Sequence, residues 1–166
     1  MRKFPLVSIA LLLAAASLVV FSLAQGLPER VAVHYDAAGD ANGYMTRKAF
    51  RTFMLMYTLC MPLFVVLVAG LLPRLLPTSM VNIPNRSYWL APERAKDSLA
   101  FLSEQWIWFG CILLVFLTST DWMIVKANGS SPPHLATAEF LRLLVLFLIA
   151  LGGWTVRMFR RFRVPR

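Results

Sequence analysis

Charged residues are scarce in this chain. Asp, Glu, Lys and Arg make up 15% of its 166 residues, whereas 58% of the residues are hydrophobic. A typical soluble domain has about 25% charged and about 45–50% apolar residues. The few charges are also clustered between long uncharged runs. The composition therefore excludes an ordinary soluble domain and indicates a polypeptide that crosses a membrane several times.

Four apolar runs are long enough to span a bilayer as helices. They predict an all-α membrane protein, a single domain over residues 1–166, with spans at about 4–24, 52–72, 106–125 and 138–156. The first run follows Arg2 and Lys3 and has an alternative interpretation as a signal peptide cleaved near Ala24, but its length favours a retained helix. Pro62 predicts a kink in the second span, because proline removes one helical hydrogen bond.

The distribution of positive charge predicts the orientation of this bundle. Lys and Arg are more numerous in the segments that lie on the side of the termini, including the five arginines of the tail from Arg157 to Arg166. By the positive-inside rule both termini are cytoplasmic, the loop 27–50 faces outward and the loop 78–105 faces inward. The net charge of +9 then indicates anionic membrane lipid as a partner rather than nucleic acid, because no aromatic-interleaved basic face lies outside the spans.

The outer loop 27–50 contains most of the residues with possible chemistry. Period-two alternation over 30–36 predicts a short extended segment at the membrane surface, and the Gly, Asp and Asn residues at 39–43 predict a turn. The candidate binding residues of this loop are His34, Asp36, Gly39, Asp40 and Lys48. A metal site is not predicted, because no second histidine is near His34 and the spacing to the two aspartates matches no strong metal motif.

The inner loop 78–105 is the second polar stretch. Asparagines around Pro84 predict a fixed irregular loop, and Tyr88 with Trp89 is typical of the lipid headgroup region. From Pro92 an apolar stripe predicts an interfacial helix that runs or bends into the third span.

Only a few ionisable or reactive groups fall within the spans. Asp121 and Arg142 lie near the outer ends of adjacent spans and predict a structural ion pair, with an anion or proton site as the alternative. Cys60 and Cys111 fall at different depths and predict free thiols. The spans contain no nucleophile with a predictable base beside it, so catalytic residues and cofactors are not predicted. Asn128-Gly129-Ser130 fits the glycosylation pattern, which arises often by chance.

Two motifs carry a resemblance to a known family. They are Leu27-Pro28-Glu29, Val33-His34-Tyr35-Asp36, Gly39-Asp40, Gly43-Tyr44 and Lys48 in the outer loop, and Asn82-Ile83-Pro84-Asn85 with Tyr88 to Arg94 in the inner loop. The first resembles the short domain of unknown function that follows the first helix of SdpI-type bacterial membrane proteins. The resemblance implies the inner membrane of a bacterium and toxin immunity, in some relatives with binding of a cytoplasmic repressor. It also implies candidate binding residues in both loops, which are His34, Gly39, Lys48, Asn85, Tyr88, Trp89 and Arg94. This chain departs from the SdpI-type architecture in having four spans where those proteins have more.

Three functional hypotheses follow. The first is a binding, signalling or immunity module whose outer loop meets a peptide or protein and whose inner loop meets a cytoplasmic protein. The second is an accessory subunit or a membrane enzyme that acts on lipid through the outer loop and the region of Asp121 and Arg142. The third is a purely structural membrane component.

Overall fold

The computed structural model describes residues 3–23 and 25–164. Arg2, Ala24 and Arg166, which the sequence analysis used, lie outside these ranges. Four helical segments of the described chain are long and apolar enough to cross a membrane, and the sheet consists of two strands. The prediction of four helices of membrane-spanning length is therefore confirmed, whereas the all-α prediction is wrong for the small two-stranded sheet, which forms because residues 30–35 and 41–46 pair. The elements are α1 Lys3–Leu23, β1 Arg30–Tyr35, β2 Ala41–Thr46, α2 Arg47–Leu55, α3 Met61–Val65, α4 Arg86–Trp89, α5 Pro92–Ala127 and α6 Thr137–Arg161.

The second span runs from Arg47 to Arg74 and includes α2 and α3. It begins before the predicted residue 52, because the Thr46 hydroxyl accepts a hydrogen bond from the Ala49 N–H at 3.2 Å and caps the first turn. The backbone widens into π-helical turns at Met56–Cys60, directly before Pro62, and again at Val66–Leu71, and it ends in a 3₁₀ turn, Leu72–Arg74. Proline lacks the N–H that an α-helical hydrogen bond needs, so Pro62 accounts for the irregular helix before it.

The outer-loop segment is a β-hairpin and not a single extended segment. β1 and β2 pair antiparallel, with Ala32 opposite Tyr44 and His34 opposite Gly43. The turn lies at 36–40, so the predicted turn at 39–43 is wrong for its second half, which belongs to β2. The reason is the Asp36 side chain, which organises the chain reversal earlier than the glycine and asparagine pattern indicates.

Helix α5 is the central element of the bundle. Its 36 residues extend over about 54 Å at 1.5 Å per residue, which exceeds the hydrocarbon thickness of about 30 Å. The helix predicted from Pro92 therefore runs into the third span, which is the first of the two predicted alternatives, and its residues are the first turns of α5. No residue between Pro92 and Gly110 interrupts helical hydrogen bonding, so the helix is continuous over this range.

Three apolar clusters lie along the bundle, one at each end and one between them. Near the hairpin, α1, the hairpin and α2 share the buried cluster Val20, Leu27, Val31, Phe50 and Met54. At the opposite end, the loop before α5, α5 itself and the chain after α6 share Val81, Ile83, Leu90, Leu102 and Phe162. Between them lie Ile9, Val66, Ile107 and Cys111. We call these two ends the hairpin end and the tail end.

Gly110 allows three spans to meet at the middle of the bundle. A Cβ atom at this position would lie 2.5 Å from Val66 Cγ2 and 3.2 Å from Ile9 Cδ1. Helix α6 packs against another side of α5, where Phe147 stacks on Phe116 with ring centroids 4.4 Å apart. Among the described residues, none of those in α6 is fully buried, so this helix is held at the side of the bundle.

Candidate functional site

The side chain of Asn128, the residue that follows α5, forms hydrogen bonds to the hairpin. Its Oδ1 accepts a hydrogen bond from the Ala32 N–H at 2.7 Å, and its Nδ2 donates to the Ala32 carbonyl at 2.8 Å. The Asn128 amide thus pairs with both backbone groups of a residue that is 0% exposed. A side-chain amide here occupies the place that a third strand would take along β1. This use of Nδ2 also argues against glycosylation of Asn128.

The turn of the hairpin is fixed by Asp36 and by the loop between α5 and α6. Asp36 Oδ1 accepts from the backbone N–H groups of Ala38, Gly39 and Asp40 at 2.9–3.0 Å. Gly39 has φ +97°, and its carbonyl accepts from the Leu135 N–H at 2.9 Å. A Cβ at Gly39 would collide with the Leu135 carbonyl oxygen. Both predicted residues therefore shape the turn.

Two further polar residues of the hairpin, Asp40 and Asn42, contact histidines. Asp40 Oδ1 lies 3.1 Å from His134 Nδ1, which belongs to the loop after α5. His34 Nδ1 makes a hydrogen bond to Asn42 Oδ1 across the hairpin. The two histidines thus link strand to strand and hairpin to loop. In the described part of the chain, no group of three His, Cys, Asp or Glu residues could hold a metal ion.

Tyr35 extends the attachment of the hairpin. Its hydroxyl donates to the Ala32 carbonyl at 3.1 Å and lies 3.2 Å from Asn128 Nδ2. Burial raises the pKa of Tyr35; nearby Tyr44 acts in the same direction, and the hydrogen bond from Asn128 opposes them. A raised pKa keeps the phenol protonated and able to donate over a wider pH range.

The other edge of the hairpin, along β2, is open. Since Ala32 turns its N–H and carbonyl towards Asn128, Ala32 and Tyr44 form a non-hydrogen-bonded pair, and the backbone groups of Tyr44 point away from β1. The described chain contributes no third strand to this edge. The Arg30 guanidinium lies 4.3 Å from the centroid of the Tyr44 ring and covers one side of it.

An apolar groove continues from this edge along the second span. Its volume is about 770 Å³, and its lining residues are Thr46, Lys48, Ala49, Thr52, Phe53, Met56, Tyr57 and Met61. The Phe53 and Tyr57 rings stack at 5.2 Å within it. The predicted residue Lys48 lies at the end of the groove next to β2. The open edge and this groove together form the surface that we call the β2 face.

At the tail end, the predicted residues Asn85 and Trp89 hold the end of α6. Asn85 has a left-handed backbone with φ +53°, and its Nδ2 donates to the carbonyl of Phe162 at 2.8 Å. The Arg161 guanidinium lies 4.1 Å from the centroid of Trp89, and Phe162 is 0% exposed. Among the described residues, the buried Trp89 Nε1 has no hydrogen-bond partner. These contacts join the inner loop to the C-terminal end of the bundle.

Tyr88 and Arg94 form a second contact at the tail end. Arg94 Nε donates to the Tyr88 carbonyl at 2.8 Å, and its guanidinium lies 4.1 Å from the centroid of the Tyr88 ring. The pair fixes the entry into α5. Tyr88 and Arg94, which are both candidate binding residues, therefore have a structural contact at the start of α5.

The predicted ion pair between Asp121 and Arg142 is wrong. Asp121 is 4% exposed and accepts a hydrogen bond of 2.5 Å from the hydroxyl of Thr58, which is 0% exposed. The salt bridges of the described residues do not include Asp121. Asp121 lies on the stripe of α5 that faces the second span, whereas Arg142 lines a groove beside α6. The two groups consequently do not share a site, which removes the basis of a lipid-acting centre built from both.

Sequence reasoning missed three residues that the fold depends on: Asn128, Thr58 and Phe162. Each contacts a residue distant in the chain, and no sequence pattern links it to that partner. Cys60 and Cys111 are free thiols, as predicted. What the arrangement offers chemically is hydrogen bonding along a strand edge, a cationic group beside it and an apolar groove.

Comparison with known families gives one match. Residues 9–61 match the model of a family described as Domain of unknown function (DUF1648). This segment includes most of α1, the whole hairpin and the second span as far as Met61. None of the curated proteins and none of the solved structures matches the chain. The match confirms that a domain of unknown function is present in the segment that includes the first of the two motifs, whereas the second motif, at 82–94, lies outside the match.

Proposed function

We propose that this chain is a binding module of the bacterial inner membrane that captures a peptide in extended conformation on its β2 face. The single observation that carries the proposal is the orientation of Tyr44, whose N–H and carbonyl point away from the hairpin. An open strand edge of this kind is a template for a further strand, and many peptide-binding domains use such an edge. The opposite edge, on β1, is already satisfied at Ala32 by Asn128.

The side chains around the edge define the chemistry of the peptide. Arg30 and Lys48 are exposed, Arg30 over the Tyr44 ring and Lys48 in the groove, which favours an acidic residue or a terminal carboxylate. The groove with Phe53 and Tyr57 favours an apolar segment in the same peptide. A peptide with both an acidic group and an apolar segment would reach the protein at the membrane surface. This expectation agrees with an immunity role, as the SdpI-type resemblance implies.

The direction of the module follows from charge. The tail end carries Arg157, Arg160, Arg161 and Arg163, and positive segments are retained in the cytoplasm. The hairpin end then faces outward, where a secreted peptide is encountered. A cytoplasmic partner would respond to peptide binding at the tail end, where Asn85 and Trp89 contact the end of α6.

A backbone-directed variant tests this proposal. Peptides are selected from a random display library against the protein in nanodiscs, and their affinity is then measured for Tyr44→Pro and Tyr44→Ala. Proline removes the outward N–H and obstructs the edge, so we expect a loss of more than about tenfold, whereas alanine keeps the N–H and should keep affinity within about threefold.

The same samples provide the folding control. The Met45 amide lies in the register next to Tyr44 and bonds within the hairpin, so its slow hydrogen exchange reports an intact hairpin in every variant. Bound peptide should protect the Tyr44 amide of the wild type. Peptides that bind Tyr44→Pro as well as wild type, with Met45 still protected, would exclude binding by strand addition.

A further inference from the structure

We propose that an anionic phospholipid binds in the groove between α1 and α6, with its phosphate on Arg142 and an acyl chain lying along α5. This site is distinct from the β2 face. Helices α1 and α6 both pack on α5 and leave a gap between them on one of its sides. Three adjoining grooves occupy this gap.

The grooves form one path because they share lining residues. The groove at Arg142 and Trp122 has a volume of about 450 Å³. It shares Leu143 and Leu146 with the next, of about 370 Å³, which reaches Trp108 in the other half of the bundle. The third groove shares Val19 with the first and Leu12 with the second. The path is therefore apolar over most of its length and cationic at the hairpin end.

Arg142 is the group at this end that lacks a partner. Its guanidinium makes no hydrogen bond, ion pair or ring contact with any residue that the structure describes. The neighbouring carboxylate of Glu139 is 3.1 Å from Lys126 Nζ and is thereby neutralised. The hydroxyls of Thr118 and Ser119 donate to the carbonyls of their own helix at 2.8 Å. The mouth of the groove consequently has a net positive charge of about one.

The position of Arg142 selects the chemistry of its partner. It lies five residues after the start of α6, about 7 Å along the helix at 1.5 Å per residue. An unpaired cation at that depth is costly, and a guanidinium binds phosphate through two parallel hydrogen bonds. Trp122 beside it is a residue type that prefers the headgroup region. A phospholipid can place its phosphate on Arg142 and an acyl chain along the apolar path at the same time. A helix of a second copy would not do both.

Native mass spectrometry tests the site. The protein is released from micelles containing phosphatidylglycerol or phosphatidylcholine with identical chains, and the retained lipid is measured. One guanidinium contributes a preference of about fivefold for the anionic lipid. We expect Arg142→Gln to remove that preference, and Arg157→Gln, an exposed arginine on the same helix, to preserve it.

A second variant separates the acyl path from the charge. Leu146 is 65% exposed and lines two of the grooves, so Leu146→Trp fills the path without disturbing a buried core. Retention of both lipids should fall by at least about fivefold. Unchanged retention in Leu146→Trp, an unchanged preference in Arg142→Gln, or an equal loss of preference in Arg157→Gln would overturn the proposal. So would a dimer of the wild-type chain that Leu146→Trp dissociates, because a second copy would then occupy the groove.

Discussion

Replacing Asn128 by leucine should detach the hairpin from α5 while leaving the four spans assembled. The leucine side chain has the same number and branching of heavy atoms as that of asparagine but neither donates nor accepts hydrogen bonds. The variant therefore removes both contacts to Ala32 and the approach to the Tyr35 hydroxyl. It adds no charge and requires no change in helix α5, because Asn128 lies just beyond its last residue.

The expected effect can be derived from the buried groups of Ala32. Its N–H loses its partner in a residue that is 0% exposed, whereas its carbonyl keeps the Tyr35 hydroxyl as a donor. Leaving one such group unsatisfied costs about 1–3 kcal/mol. About 2 kcal/mol, the middle of that range, corresponds to an opening that is about 30-fold more frequent.

Amide hydrogen exchange in nanodiscs measures this opening directly. We expect exchange at Ala32 to accelerate by about 30-fold in Asn128→Leu. The matched control is Asn42→Leu, which removes the exposed hydrogen bond to His34 and should accelerate exchange by less than about fivefold. Exchange at Ile107, buried at the middle of the bundle, should not change in either variant.

Equal exchange at Ala32 in Asn128→Leu and in the wild type would refute this reasoning. The hairpin would then be held by the apolar cluster of Val20, Leu27, Val31 and Phe50 alone. In that case Asn128 would have no larger role than any other polar residue of the loop.

Two further predictions concern the interior and the orientation. A double-mutant cycle of Asp121→Leu and Thr58→Val, followed by unfolding in mixed micelles, should give a coupling free energy of about 0.6–1.7 kcal/mol; a value near zero would mean that the hydrogen bond does not stabilise the bundle. In a background with both native cysteines replaced by alanine, a membrane-impermeant thiol reagent should label Ala37→Cys in intact cells and Ser87→Cys only after permeabilisation. The reverse labelling pattern would contradict an outward-facing hairpin.

The spans were predictable because membrane thickness imposes a length on them. A run of about twenty apolar residues has few alternative structures, and all four runs form such helices. The second strand was not predictable in the same way. Ala41–Thr46 contains Asn42 and Gly43, which are depleted in strands, and it is a strand because β1 pairs with it. Pairing with a neighbour decided the structure here, against local propensity.

The partner of Asp121 shows a second limit of sequence reasoning. Depth along the helix placed Asp121 near Arg142, but the rotation of α5 decides which residue it meets. Leu114, Leu117 and Asp121 are all buried and lie on one stripe, since residues four and seven positions apart share a face. That stripe faces the second span and Thr58, whereas Phe116 contacts α6. Helix rotation follows from packing of the whole bundle, which no local pattern contains.

The family segment at 9–61 cannot be separated from α5 in this chain. Its strand β1 depends on Asn128 for the backbone of Ala32, its second span depends on Asp121 for Thr58, and Gly110 provides the space in which α1 meets that span. All three of these supporting residues lie outside the segment. A two-stranded hairpin alone is marginally stable in water, so the open edge of β2 exists as a rigid surface only while α5 holds β1. We therefore infer that the end of α5 and its loop belong to the recognition element as much as the hairpin does.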